Sequence, residues 1–296
     1  MDPKICIVIP CKDEEATVER TLASLSAQKP APSKIILVDD GSTDDTSRIV
    51  EDFATRNPQL EIVRRDPTAR DTGQGIAFAV REGLSRVDCD AYDYIGKFDA
   101  DLEFPSDYFG RILTEFDRNP SAGLIGGVCA VSRGDRWEVE RITNDDHVRG
   151  ALKLYRATAL KSIGGIAPIT GWDTLDEYKL RYRGYGIIVL SDLIVKQFRP
   201  TNQATDKRRM AGKLGETLYN IGSSLDVLAV SAVKRSLTGG GYSLLDILRG
   251  YCTARRTGAT RYITLAEAAA ANDYRRRGYA KKALFLLRRY FNPSSS

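Results

Sequence analysis

Two carboxylates stand one residue apart in "GKFDADLEFP" (96–105), where the apolar run "YDYIGKF" ends. Like charges this close repel each other and resist burial unless something positive joins them. Asp99 and Asp101 therefore admit two readings. They supply oxygen ligands to a divalent cation, or they belong to a solvated turn in which Asp101 caps a helix beginning near Pro105. Three further polar segments follow apolar runs: "PCKDEE" (10–15), "DDGSTDD" (39–45) and "ARDTGQG" (69–75). Later in the chain, Asp173 and Asp176 lie within one helical turn of each other in "GWDTLDEYKLRYRGYG" (171–186).

The elements that must position these residues follow from periodicity. "KICIVIP" (4–10), "KIILVD" (34–39), "LEIVRR" (60–65) and "YDYIGKF" (92–98) are apolar runs of strand length. Helical patterns separate them, from Glu14 to about Gln28, over 43–57 and over 73–87. Buried strands alternating with helices predict βαβ units, a mostly parallel sheet and right-handed crossovers. Such sheets bind ligands beyond the carboxyl ends of their strands. All four polar segments then gather at one edge, which suits a nucleotide and a metal better than four ordinary turns. A further strand is expected at 121–132, a helix at 156–163 and a capped helix ending at Gly184. From about Lys196 the pattern holds no strands, only helical runs at 207–222, 224–237, 243–255, 264–277 and 279–291, then a frayed "NPSSS". Two parts are expected: an α/β domain over 1–195 and a helical appendage over 196–296.

With 296 residues, 42% of them hydrophobic, the chain can bury a substantial core. Five cysteines without a C-x-x-C spacing fit a reducing compartment and exclude a disulfide framework or a cysteine zinc site; the single His147 excludes a multi-histidine metal site. No signal peptide and no stretch of 18 apolar residues is visible, so a cytoplasmic protein is expected. Residues 197–296 hold 18 Lys and Arg against 6 Asp and Glu, a net of +12, so the rest of the +5 chain carries −7. The acidic part suits cation and substrate work, and the basic part suits an anionic surface.

"IPCKDEE", "VDDGSTDDT", "GQGIA" and "FDADLEFP", in this order and at these intervals, resemble the nucleotide-binding half of inverting family 2 glycosyltransferases. The resemblance continues through "VRGALKLYRATALKSIGG" and covers roughly the first 190 residues. It implies a GT-A fold, a Rossmann-like mostly parallel sheet flanked by helices. It also implies transfer of a sugar from a nucleoside diphosphate, with UDP the expected carrier, in polysaccharide or glycolipid biosynthesis. By the same resemblance Asp101 is the metal ligand and Asp99 its helper at ribose or metal; all-oxygen ligation suits Mn or Mg. Pro10 and Cys11 flank the nucleoside, Glu14 approaches the ribose, and Asp39 and Asp40 meet the base. Ser42 or Thr43 also reads as an N-cap of the next helix. Gly73 and Gly75 serve close backbone approach to the nucleotide or only a tight turn. The catalytic base is Asp173 by an ungapped count back from Gly184, with Asp176 and Glu177, within one turn of it, competing. Here Trp172 replaces the family's usual Glu and would offer a flat apolar wall. A lone histidine such as His147 reads as structural.

A sugar-nucleotidyltransferase would need a Gly-rich basic loop after the first strand, which "IPCKDEEATVER" lacks. A nucleic-acid-binding module would rest on the basic third alone, which carries no recognised motif, and no nucleic acid partner is expected. The stretch 279–291 sets Lys281, Lys282, Arg288 and Arg289 opposite Leu284, Leu287 and Phe291, so an anionic membrane surface is the expected partner. That would place the protein peripherally on the inner face of the cell membrane, acting on a lipid-linked or glycan acceptor. The alternative is that this face packs on the preceding helices. An oligomer is compatible with the sequence.

Overall fold

The computed structural model describes residues 2–66, 75–140, 146–199, 207–238 and 243–291, with the side chains of 238 and 285–291 left aside. The chain forms two compact units, Met1–Asn202 and Gln203–Ser296.

In the first unit the four expected strands are β1 (Ile5–Cys11), β2 (Lys34–Asp39), β3 (Leu60–Arg64) and β4 (Tyr94–Phe98). They pair in parallel in the order β3-β2-β1-β4. Every residue of β1 is buried, as a sheet covered on both faces requires. Ile5, Ile7 and Ile9 face one layer with Leu22, Leu25 and Phe98; Cys6 and Val8 face the other with Val38 and Ala79. The crossovers run through α1 (Val18–Ser26), α2 (Thr46–Ala54) and α3 (Gly75–Leu84).

Beyond β4 the sheet turns mixed. It continues through β8 (Leu152–Arg156), β6 (Ala122–Arg133), β9 (Gly186–Gln197) and β5 (Leu102–Glu103), while β7 (Arg136–Val139) hangs on β6 as a hairpin. β8 lies antiparallel to both neighbours, and β9 runs parallel to β6. The strands β5, β7, β8 and β9 are not expected from the sequence. Lys153 and Arg156 interrupt the apolar run of β8, and register shifts break the alternation of β9. The helix after the acid pair, α4, spans Tyr108–Arg118 with Asp107 at its N-cap position, so Asp101 does not cap it. Then come α5 (Ala157–Ser162) and α6 (Trp172–Tyr182), the latter closing toward Gly184.

The second unit has no strand among its described residues. Its helices are α7 (Lys207–Asn220), α8 (Leu225–Thr238), α9 (Leu244–Arg256) and α10 (Leu265–Phe291). α7 and α9 meet backbone to backbone: a Cβ on Gly250 would stand 2.1 Å from the carbonyl oxygen of Gly212, and one on Gly215 2.0 Å from that of Ile247. The two helices expected at 264–277 and 279–291 are one. A glycine inside a helix costs only about 1 kcal/mol relative to alanine. On either side of Gly278, Arg276 pairs with Asp226 (2.7 Å) and the Tyr279 hydroxyl meets that of Ser231 (2.8 Å). Lys281, Lys282 and Leu284 are exposed. The side chains of Arg288, Arg289, Leu287 and Phe291, and the "NPSSS" tail, lie outside the described residues. No described helix is long and apolar enough to cross a membrane.

Candidate active site

The ends of β1, β2 and β4 carry the acids to one edge of the sheet. The loop after β1 is stitched to the loop after β2. Asp13, at φ 52°, donates its amide to Ser42 Oγ (3.1 Å) and accepts from the Thr43 amide (2.7 Å), while the Glu14 amide donates to Thr46 Oγ1 (2.7 Å). Asp40 donates its amide to the Cys11 carbonyl (2.8 Å). Asp39 is buried; one oxygen accepts from the Ser42 amide (2.9 Å) and the other from the Ser47 hydroxyl. Neither Ser42 nor Thr43 caps α2, which begins at Thr46 with Asp45 at the cap position. Asp40 pairs with Arg65. A Cβ on Gly75, at the start of α3, would stand 2.9 Å from Asp40 Oδ2, so these two expected residues are brought together. Gly73 lies outside the described residues.

Pro10 and Cys11 close β1, and burial pushes the Cys11 thiol far up, as for an inert core cysteine. Burial also pushes the Glu14 carboxyl up to about 7, against a hydrogen bond from Thr17 (2.8 Å) and the Arg199 guanidinium at 3.0 Å. Asp99 pairs with Lys97, which β4 buries, and keeps 29% of its side chain exposed. Asp101 is buried; Oδ2 accepts from Gln197 Nε2 (3.3 Å) and the Arg199 amide (3.2 Å). Gln197 is fixed in turn by Arg149 (3.0 Å), and Arg149 by Glu140 (3.0 Å). Burial, then the charge of Asp99, raises the Asp101 carboxyl above its ordinary value. A buried carboxylate with a second one beside it fits a cation. Among the described residues no group of three or more His, Cys, Asp or Glu could hold one unaided, so it would need oxygens from a ligand.

A second acidic cluster lies under the first turn of α6. The Trp172 ring has the Lys97 ammonium 5.3 Å and the Lys153 ammonium 5.7 Å from its centre, which ties this cluster to the Asp99 pair. Trp172 is 8% exposed, a packed partition and not the open wall its sequence position suggested. Lys153, fully buried in β8, reaches Asp176 at 2.9 Å and Glu177 at 3.2 Å, and the Tyr155 hydroxyl also donates to Asp176. His147 bridges the two ends of the turn, with Nδ1 3.1 Å from Glu177 and Nε2 3.6 Å from Asp173. Burial would lower the imidazole's pKa, but these two carboxylates outweigh it and lift it to about 9. Burial pushes Asp173 up, yet His147 and Lys153 together hold it below the ordinary carboxylate value. Asp176 is raised by burial. Of the two acids only Asp173 keeps part of its side chain, 32%, open to solvent.

Residues 6–170, more than half of the chain, match the Glycosyl transferase family 2 description. The chain belongs to this family. Within it, a beta-monoglucosyldiacylglycerol synthase from Synechocystis is 32% identical over 194 residues, 59% of this chain and 39% of that protein. A poly-beta-1,6-N-acetyl-D-glucosamine synthase from Staphylococcus epidermidis is 29% identical over 123 residues, 42% of this chain and 28% of its own length. The chain thus spans well under half the length of both relatives. Two solved structures share the fold at 16% identity. Staphylococcus aureus TarS 1–349 in complex with UDP has a TM-score of 0.58, with 93% of this chain and 92% of that one covered. The mannosyltransferase PcManGT from Pyrobaculum calidifontis, with GDP-Man and Mn2+, has 0.56, with 92% and 86% covered. The family 2 match takes in the strand-end acids and His147, Lys153 and Tyr155, and stops just short of Asp173.

Sequence reasoning missed His147, Lys153, Tyr155 and Glu177 as one cluster, and Lys97, Arg65 and Gln197 as partners of the strand-end acids. One signal was legible: a lysine set between two leucines of a strand, as Lys153 is in "LKLYR", asks for a buried anion.

Proposed function

We propose that the protein is an inverting glycosyltransferase that moves a sugar from a nucleoside diphosphate, UDP being the expected carrier, to a lipid-linked or glycan acceptor at an anionic membrane surface. The observation that carries this reading is the pairing of an ionised, partly open Asp173 with the Asp99–Asp101 edge through Lys97 and Trp172. Pro10, Cys11, Glu14, Asp39, Asp40 and Gly75 surround the nucleoside, with Asp40 and its Arg65 toward the base. Asp101 and Asp99 hold a divalent Mn or Mg, which when bound offsets the charge of the departing diphosphate. Asp173 takes the proton of the acceptor hydroxyl as its oxygen bonds the anomeric carbon, and the bond to the diphosphate breaks with its electron pair. The hydroxyl becomes acidic only as the new bond forms, so the base must be ionised and aimed more than strongly basic. His147 and Lys153 keep it so. The relatives' names, a glycolipid synthase and a polysaccharide synthase, support the acceptor classes. Neighbours solved with UDP and with GDP-Man and Mn2+ support the donor and the cation.

Calorimetric titration of Mn into the protein with and without UDP tests the donor half. Tight Mn binding is expected only with UDP present, and only while Asp99 and Asp101 are intact. Equal binding by Asp99→Asn/Asp101→Asn protein would overturn it.

A further inference from the structure

α8 exposes a row of aliphatic side chains at helical spacing: Val230 (45%), Val233 (47%) and Leu237 (80%). The first turn of α9 adds Leu245 at 75%. Residues 239–243 join the two helices, a link that reaches at most about 20 Å, and α8 packs on α9. α8 and α10 run side by side in the same direction. Asp226 meets Arg276, Ser231 meets Tyr279, and Lys234 feels the charge of Lys282. Leu284, half exposed, therefore stands level with the last turn of α8. One end of the helical unit thus gathers bare aliphatics from three helices.

The same end is cationic. The stretches 230–238, 244–249 and 279–284 contain Lys234, Arg235, Arg249, Lys281 and Lys282 against the single acid Asp246. Asp246 lies within ion-pair distance of Arg208 (3.4 Å) and Arg249 (3.8 Å). Burial, then Lys282 and Arg235, hold the Lys234 ammonium below its ordinary value.

We propose that this end of the helical unit docks on an anionic lipid surface. Val230, Val233, Leu237 and Leu245 enter the boundary between headgroups and acyl chains, and Lys234, Arg235, Lys281 and Lys282 meet the headgroups. The proposal deepens the membrane-acceptor reading above and rests on it, but it assigns the contact to α8 and the head of α9 in place of the 279–291 segment alone. A nucleic acid would leave the aliphatic row in water. A second copy paired about a two-fold axis would bring like charges face to face. Only a surface with anions above an apolar layer satisfies both halves.

Co-sedimentation of the full chain with phosphatidylcholine vesicles, with and without phosphatidylglycerol, tests it. The protein is expected to bind only the anionic vesicles, less at high salt, and Leu237→Glu/Leu245→Glu is expected to lower partitioning at least tenfold. Both positions are exposed, so the melting temperature and UDP affinity of that variant should match the parent. A milder variant, Lys281→Gln/Lys282→Gln, should weaken binding severalfold and flatten its salt dependence. Unchanged binding by the Leu variant would overturn the assignment of the surface while leaving a membrane acceptor standing. No binding by the parent would overturn both, with UDP affinity still reporting on the donor site. A concentration-dependent dimer in sedimentation velocity that the Leu variant abolishes would make the face a self-association surface and overturn the proposal.

Discussion

The acids at the strand ends and the acids on α6 are the same functional groups under opposite regimes. Asp39 is held by an amide and a hydroxyl of the segment that follows it, Asp101 by the amides of Gln197 and Arg199, and Asp40 and Asp99 by one cation each. Asp176 and Glu177, both buried, are held by whole cations brought from elsewhere in the chain, Lys153 and His147. The edge cluster is built to accept something more. The interior cluster is complete, and its one open member is Asp173. A charged group at a sheet edge can be lightly held because a ligand or water finishes its shell; in the core the protein must supply the full set.

Replacing the open acid breaks the comparison most sharply. Asp173→Asn should lower transfer about 100- to 10,000-fold while leaving UDP affinity intact. Parallel assays of Asp176→Asn decide the assignment. Turnover that survives in the first variant and collapses in the second, at equal melting temperature, would move the base into the interior.

Next come the two lysines. Lys153→Met leaves the buried Asp176 without a cation and should cost about 3–5 kcal/mol in urea unfolding. Lys97→Met leaves Asp99 with solvent on one side and should cost about 1 kcal/mol. Equal losses would erase the distinction between edge and interior.

A pH effect follows from His147. In the native protein its pKa of about 9 stands above the ordinary 6.5. Its contribution to stability is therefore full below 6.5 and disappears as the pH rises through 9. The stability gap between the parent and His147→Asn should shrink across that window. Losing the cation also releases Asp173 upward, so the acid limb of kcat/KM should move to higher pH in the variant. A limb that stays in place would make His147 a packing residue.

The smallest effect is expected at Gly75→Ala. The added methyl meets Asp40 Oδ2 at 2.9 Å. UDP binding should weaken about fivefold, roughly 1 kcal/mol, with thermal stability unchanged or higher because alanine favours a helix.

The edge cluster was legible because parallel strands make position along the sequence into position in space. Each β-branched run ends at the same edge, so Asp39 and Asp99 could be placed from periodicity alone. The interior cluster was not. Its parts come from 147, 153–155 and 173–177, and β8, the strand that delivers two of them, is short and charged. β9 hid in the same way, its alternation broken where it bulges against β6. The ends of the tail helices were nearly right, but the stop assigned at Gly278 was not. A glycine can end a helix, yet here the Arg276 and Tyr279 contacts carry α10 through it.

Where α7 crosses α9, three glycines let main chain touch main chain. At those glycine contacts no side-chain rotamers freeze when the joint closes, so their ordering entropy is that of the backbone alone. Its alignment is written in atoms that every residue possesses. The outward faces of the same bundle, the aliphatic row of α8 included, can then be recomposed residue by residue without loosening the crossing beneath them.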